Sequence, residues 1–157
     1  MFSQKDKGLK VLFVTAEVAP FSSAGGLSQV SYFLPRAMMK LGIDVRIFSP
    51  KYGSIREDIY PTKMAVDRLQ VPTDEADDSP NPKELTCNVK SYAEVKKAEP
   101  TVYFLENMEY FEKRANVYGY SDDHIRFGLL SRGALEFIKS GYFVPDLIHC
   151  NDWHTAY

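Results

Sequence analysis

The chain has 157 residues, 45% of them hydrophobic and 13% aromatic, which is enough apolar mass for one sizeable core and too much for a disordered segment. Nineteen basic against 21 acidic side chains leave a formal net charge of -2, which predicts no nucleic-acid partner and no membrane contact and leaves small neutral or anionic ligands. Cys87 and Cys150 are too few for a disulfide framework. With a polar Met1 to Gly8 and no apolar run of bilayer length, the composition predicts a cytoplasmic protein with reduced thiols.

Lys10-Val11-Leu12-Phe13-Val14-Thr15 has the apolar, β-branched composition of a buried parallel strand, and Leu27, Val30, Leu34, Ala37, Met38 and Leu41 then recur at helical spacing. Gly25 and Gly26 stand at the handover. Without Cβ atoms they let backbone N–H groups approach a ligand, and a helix beginning there adds partial positive charge suited to a phosphate or sugar oxygen. Pro35 removes the hydrogen bond back to Ser31 and predicts a kink. Gly42 breaks the helix, and Asp44-Val45-Arg46-Ile47-Phe48-Ser49 alternates as a strand before Pro50. A right-handed β-α-β crossover makes these strands parallel, the start of a doubly wound sheet.

Lys51 to Tyr60 reads as loop or short helix, and Met64-Ala65-Val66 and Leu69-Gln70-Val71 as short strands. Asp74 to Pro82 concentrates acids and prolines, as an exposed, mobile loop does. Leu85 to Tyr92 and Thr101 to Leu105 predict an antiparallel hairpin, joined through Lys96-Lys97-Ala98-Glu99-Pro100, that extends one edge of the sheet. Ser121 supplies a cap, and Asp122 and Asp123 supply carboxylates for the positive end of a helix reaching Lys139. Its apolar face is Ile125, Leu129, Leu130, Ala134, Phe137 and Ile138, and Gly141 stops it. Pro145 to Cys150 forms a last strand. Trp153 to Tyr157 reads as the opening turn of a helix that is cut off, so the chain is expected to be a piece of something longer, with an uncovered apolar face that predicts self-association.

Two strand ends, at Gly25-Gly26 and at Asn151-Asp152-Trp153-His154, are expected to frame one polar cleft, because open α/β sheets bind ligands beyond the ends of their parallel strands. Each residue also has a plainer reading. A glycine pair often marks only a tight turn, and both G-x-G-x-x-G and the Walker lysine are absent. Asp152 can be an N-cap and Trp153 a core plug. His149, His154 and Asp152 superficially resemble metal ligands, but a strand residue and a helix residue five apart need not face one point, and no metal is assigned. Glu17 can hold the glycine loop through backbone amides without touching substrate. Tyr110, Tyr118 and Tyr120, with Phe111, read first as loop packing and second as a sugar-stacking surface.

Val14-Thr15-Ala16-Glu17-Val18-Ala19-Pro20-Phe21-Ser22-Ser23-Ala24-Gly25-Gly26-Leu27 and Pro50-Lys51-Tyr52-Gly53 resemble the N-terminal domain of bacterial glycogen and plant starch synthases. Tyr118 to Phe127, Ser131 to Glu136 and His149 to His154 follow in that family's order, so the resemblance covers nearly the whole chain. It implies a GT-B glycosyltransferase, in which two Rossmann-like domains face each other across a cleft. Residues 1–157 would be part of the first: one Rossmann-like, doubly wound, mostly parallel sheet with an antiparallel hairpin, the C-terminal domain being absent. The family transfers glucose from a nucleotide sugar, ADP-glucose or UDP-glucose, to the non-reducing end of an α-1,4-glucan with retention of configuration and without metal or cofactor. Its C-terminal domain supplies most nucleotide contacts, so this chain alone is expected to be inactive.

By the same resemblance Gly25 and Gly26 line the donor site, Asp122 lies in the sugar pocket and His154 hydrogen-bonds the donor hexose. Catalytic roles thus fall to His154 and Asp122, and substrate-binding roles to Gly25, Gly26, Ser23, Gln29 and Asp152. As a cleft residue, His154 is expected to contribute little to packing. Two positions depart from the family pattern. Its loop is Lys-x-Gly-Gly-Leu, with Ser23 here at the lysine position, and Gln29 stands where an aspartate follows the leucine by two. Loss of a cation beside a diphosphate costs about 2 kcal/mol or more in a dry site. These departures favour the alternative of a catalytically degenerate glucan-binding or regulatory module. A nicotinamide-dependent oxidoreductase is disfavoured by the missing fingerprint.

Overall fold

The computed structural model describes residues 8–94 and 97–157. The expectations placed on Met1 to Lys7 and on Lys96 lie outside the described residues. Six strands, β1 (Lys10–Val14), β2 (Asp44–Pro50), β3 (Thr62–Pro72), β4 (Glu84–Tyr92), β5 (Thr101–Glu106) and β6 (Leu147–Cys150), form one sheet in the order β3-β4-β5-β2-β1-β6. β6, β1, β2 and β5 run parallel, and β4 and β3 add antiparallel to the β5 edge. This is the expected doubly wound, mostly parallel sheet with its antiparallel hairpin. β1 is an interior strand between β2 and β6, and Val11, Leu12, Phe13 and Val14 are all buried, as a strand covered on both faces requires.

Two helices make the crossovers, α1 (Leu27–Lys40) from β1 to β2 and α2 (Asp123–Lys139) from the β5 side to β6. The two connections travel in opposite directions across the sheet, so right-handed crossovers put the helices on opposite faces. They also make the C-terminal ends of β1 and β6 the point where chain direction reverses, the natural ligand crevice of such a sheet. Phe137 of α2 packs on Phe48 and Tyr103 at ring-centroid distances of 5.3 and 4.9 Å. Gly42 and Gly141 each end a helix with positive φ, +85° and +76°, a conformation that costs glycine little.

Several expectations are corrected. α1 buries Ser28, Ser31 and Pro35, whereas Val30, Leu34, Ala37 and Leu41 of the expected apolar face are exposed. The two short strands expected near Met64 and Leu69 are one long β3 with register irregularities between Met64 and Leu69, where Arg68 takes φ 51°. A π-helical turn, Met108–Glu112, capped by the Asn107 side chain, carries Tyr110 and Phe111 where irregular loop packing was expected. Ser121 does not cap α2. Asp122 holds the cap position, and Asp123 turns its carboxylate back to accept from the N–H groups of Gly119 and Tyr120. Ile125, placed on the apolar face of α2, is 45% exposed, while Arg126 and Phe127 are buried.

Candidate active site

The loop after β1 is organised by a buried acid. Glu17 is only 1% exposed, and a carboxylate removed from water must be fully hydrogen-bonded to remain charged. Its Oε2 accepts from the N–H groups of Ala24 at 2.5 Å and Gly25 at 3.1 Å, and its Oε1 accepts from the Tyr118 hydroxyl at 2.7 Å. Glu17 therefore holds the glycine loop through backbone amides, as expected. The Gly25 amide is spent on this contact and does not reach outward. Gly26 caps α1 in helical conformation, and nothing lies within 4 Å of where its Cβ would be, so there is free space beside this residue.

Ser23 is exposed at the rim of the loop, its Oγ 2.8 Å from the Ser28 hydroxyl. Ser28 spends its one proton on the Gly25 carbonyl, also at 2.8 Å, so Ser23 is the donor between them. Gln29 is exposed on the first turn of α1. Phe21 to Ala24, together with Ser54 and the Ala115 to Tyr118 segment, line a cleft of about 490 Å³ beside the loop.

The end of β6 meets the end of β1 through Asn151, which the sequence placed at the cleft without giving it this contact. Its buried side-chain N–H₂ donates to the Val14 carbonyl at 2.8 Å and to the His149 carbonyl at 3.2 Å. Asp152 follows with φ 64°, exposed at the mouth of the crevice, and its carboxylate caps a single 3-10 turn, Trp153–Thr155. A non-glycine residue in the left-handed region costs of order 1–3 kcal/mol, less for aspartate than for most, and such residues cluster at functional sites. The expected helix opening is thus a short turn, and Asp152 is its exposed cap.

Trp153 and His154 exchange their expected places. Trp153 is 48% exposed and plugs no core, whereas His154 is 4% exposed. The imidazole is caged by Tyr118 (stacked, 4.6 Å), Phe127 (4.7 Å) and Trp153 (4.0 Å), and its Nδ1 is buried without a hydrogen-bond partner among the described residues. Burial lowers its pKa against the opposing pull of Asp152, Glu17 and Asp123, so it is neutral at pH 7. Packing was expected to matter little at this histidine; the aromatic cage makes it substantial. His149 lies apart on the strand against Phe13, at 4.8 Å.

Asp122 is half-buried and paired with Arg114 at 2.7 Å. The loop between them and α2 is stapled by Arg126, fully buried, which donates to the carbonyls of Tyr110 (2.7 Å) and Val117 (3.0 Å) and pairs with Asp123 at 2.5 Å. Gly25, Tyr118 and His154 are therefore linked through contacts, with Asp152 beside them, while Asp122 faces Arg114. The anchoring roles of Arg126 and of the Asn151 side chain had no local signal, because Arg126 reaches the carbonyls of Tyr110 and Val117 and Asn151 reaches that of Val14, 137 positions away. Further along the same sheet end, Lys51, nearly fully buried, pairs with Glu57, Glu106 and Glu112 at 3.4, 3.7 and 3.2 Å, and Lys90 joins Glu57 and Glu106 at 2.6 and 2.7 Å.

A doubly wound sheet with its loops gathered at the β1/β6 switch point is the architecture of a GT-B glycosyltransferase domain. Residues 10–157 match the family model for the starch synthase catalytic domain, and the chain belongs to that family. It is 38% identical to a glycogen synthase of Geobacillus stearothermophilus over 94% of this chain and 28% of that protein. With a glycogen synthase of Caldicellulosiruptor saccharolyticus it shares 40% identity over 94% of this chain and 29% of that protein. Among solved structures, the catalytic domain of starch synthase IV from Arabidopsis thaliana, bound to ADP and acarbose, matches with a TM-score of 0.78 and 29% identity over 95% of this chain and 29% of that one. The chain spans under a third of the length of these relatives.

Proposed function

We propose that this chain is part of the N-terminal domain of a retaining glucosyltransferase that moves glucose from ADP-glucose or UDP-glucose to the non-reducing end of an α-1,4-glucan. The observation that supports this reading is the chain of contacts from the glycine loop through Glu17 and Tyr118 to His154 after β6, in a member of the starch synthase family. An oxocarbenium-like transition state needs a positioned diphosphate leaving group and oriented sugar hydroxyls more than it needs a strong base. In this scheme Gly25, Gly26 and the α1 N-terminus lie along the donor, with Ser23 and Gln29 at its rim. Asp152 presents a carboxylate to sugar hydroxyls, neutral His154 offers a hydrogen bond to the hexose, and Asp122, held by Arg114, borders the sugar pocket.

The ADP in the starch synthase IV structure favours the adenine donor. A second domain supplies the remaining diphosphate contacts, so residues 1–157 form a single domain that does not turn over alone. No described helix is long and apolar enough to cross a membrane, and Cys87 and Cys150 are unpaired, as suits a reducing cytoplasm. One feature favours a second reading, a glucan-binding or regulatory module without transfer activity: Ser23 offers a hydroxyl where the family pattern places a cation.

Incubating the intact protein with glycogen and each donor decides between them. Nucleoside diphosphate release with one donor is expected; no release with either moves the assignment to the second reading. In an active protein, Ser23→Lys is expected to raise the donor-limited rate by roughly tenfold or more, as a charge-assisted contact to phosphate implies. An unchanged donor KM and rate would remove the loop from the donor site.

A further inference from the structure

We propose that Tyr118 is a positioning residue that latches the glycine loop to the turn after β6, so that one phenol sets the arrangement of the crevice's opposing walls. Tyr118 and Glu17 are 101 positions apart in sequence, and the 2.7 Å hydrogen bond between them joins the loop before α2 to the loop after β1. The Tyr118 ring lies on His154 at 4.6 Å and 26°, so three segments meet at this side chain.

The two sides of the latch are unequal. On the α2 side, Tyr118 sits in a loop held at the Val117 carbonyl by Arg126, at the Gly119 and Tyr120 amides by Asp123, and at the Asn116 amide by the Tyr120 hydroxyl. On the other side, the amides of Ala24 and Gly25 rest on the single carboxylate of Glu17. Fixing Glu17 Oε1 with the phenol leaves Oε2 aimed at those amides, and through them sets the α1 N-terminus at Gly26. Burial and the adjacent carboxylate push the Tyr118 phenol far up, so it remains a donor wherever the domain is folded. That the loop so positioned binds a sugar-nucleotide donor rests on the function proposed above; the latch itself does not.

Tyr118→Phe removes the hydroxyl and keeps the ring on His154. In the chain as it stands, amide hydrogen exchange followed by NMR is expected to speed up at Ala24 and Gly25 by about tenfold or more, the scale of a lost hydrogen bond to a charged group, with β1 amides such as Phe13 unchanged. Unchanged exchange at Ala24 and Gly25, or acceleration spread evenly over the domain, would overturn the proposal. Glu17→Gln is expected to open the same two amides, since an amide cannot accept on both arms. If it opens them and Tyr118→Phe does not, Glu17 alone is the anchor and the latch is refuted. In the intact protein with an active donor, Tyr118→Phe is expected to raise the donor KM several-fold more than it lowers kcat, and an unmoved KM counts against it. Wild-type protein inert with both donors would defeat the proposed function and leave the exchange result to judge the latch.

Discussion

A Cβ at Gly53 would stand 2.2 Å from the carbonyl oxygen of Glu112, so the segment leaving β2 crosses the Met108–Glu112 turn only because that position carries hydrogen. The obstacle is backbone rather than the end of a flexible side chain, and Gly53→Ala is expected to cost about 2–3 kcal/mol, seen as a lower urea midpoint. An unaltered midpoint would mean the two segments separate freely. Lys51, two residues earlier, is 6% exposed at its side chain and shared by Glu57, Glu106 and Glu112. Lys51→Met keeps the stem and removes the charge, leaving Glu112, at 15% exposure, without its cation, while Glu106 keeps Lys90 at 2.7 Å. Removing one partner from a buried pair costs about 3 kcal/mol or more, and the loss should appear in the same denaturation measurement. His154 belongs here too. Truncating a caged aromatic to alanine costs about 3 kcal/mol, so His154→Ala should lower stability as well as any activity, and a variant that keeps its full melting temperature would return the imidazole to an open cleft.

At the scale of elements, α1 shows how a true periodicity can point away from the core. Leu27, Val30, Leu34, Ala37, Met38 and Leu41 do share a helical stripe, but the sheet is met by Ser28, Ser31 and Pro35, whose small side chains allow close approach, with the Ser31 and Thr15 hydroxyls 2.8 Å apart. Leu27 and Met38 reach the core, but the rest of the stripe is left open, Val30 at 48%, Leu41 at 80% and the adjoining Phe33 at 62%, and at the sheet edge Leu147 and Ile148 of β6 are 47% and 38% exposed. Relatives more than three times as long have further polypeptide with which to cover such surfaces. Alone, the chain is expected to pair with a second copy of itself, since apolar flanks and an unpaired strand edge both favour association. Light scattering should show mass rising with concentration, and Ile148→Lys with Phe33→Lys should restore the monomer; a clean wild-type monomer at high concentration refutes this. The strands were legible because composition and alternation are local, and β3 alone was split, at the point where Arg68 interrupts its register. The glycine loop and Asn151 to His154 were legible because both follow strands. Which residues meet across them was not, because Glu17 finds Tyr118, and Arg126 finds Tyr110 and Val117, only once α2 has packed.

For the whole molecule, these same contacts fix how stability responds to acid. The unfolded His154 takes up a proton near its ordinary pKa of 6.5, whereas the folded imidazole, desolvated by its cage, resists until a lower pH. Over that interval the unfolded chain binds more protons, so folding stability is complete above 6.5 and falls as pH drops through the window below it. The carboxylates act later with the same sign. Lys90, donating to Glu57, draws that acid down to about 2 from 4.5, and the same lysine with Asn88 lowers Glu106 against the opposing effect of burial. Stability owed to these acids is present above 4.5 and is lost as pH falls from there toward 2, with Glu57 contributing modestly because it is 42% exposed and screened. Urea midpoints across the acid range should therefore decline in two stages, a shallow one beginning near 6.5 and a steeper one below 4.5. His154→Phe keeps an aromatic ring in the cage without a titrating nitrogen and is expected to flatten the first stage and spare the second. A first stage that survives this substitution would assign it to another group and leave the caged imidazole without an energetic role.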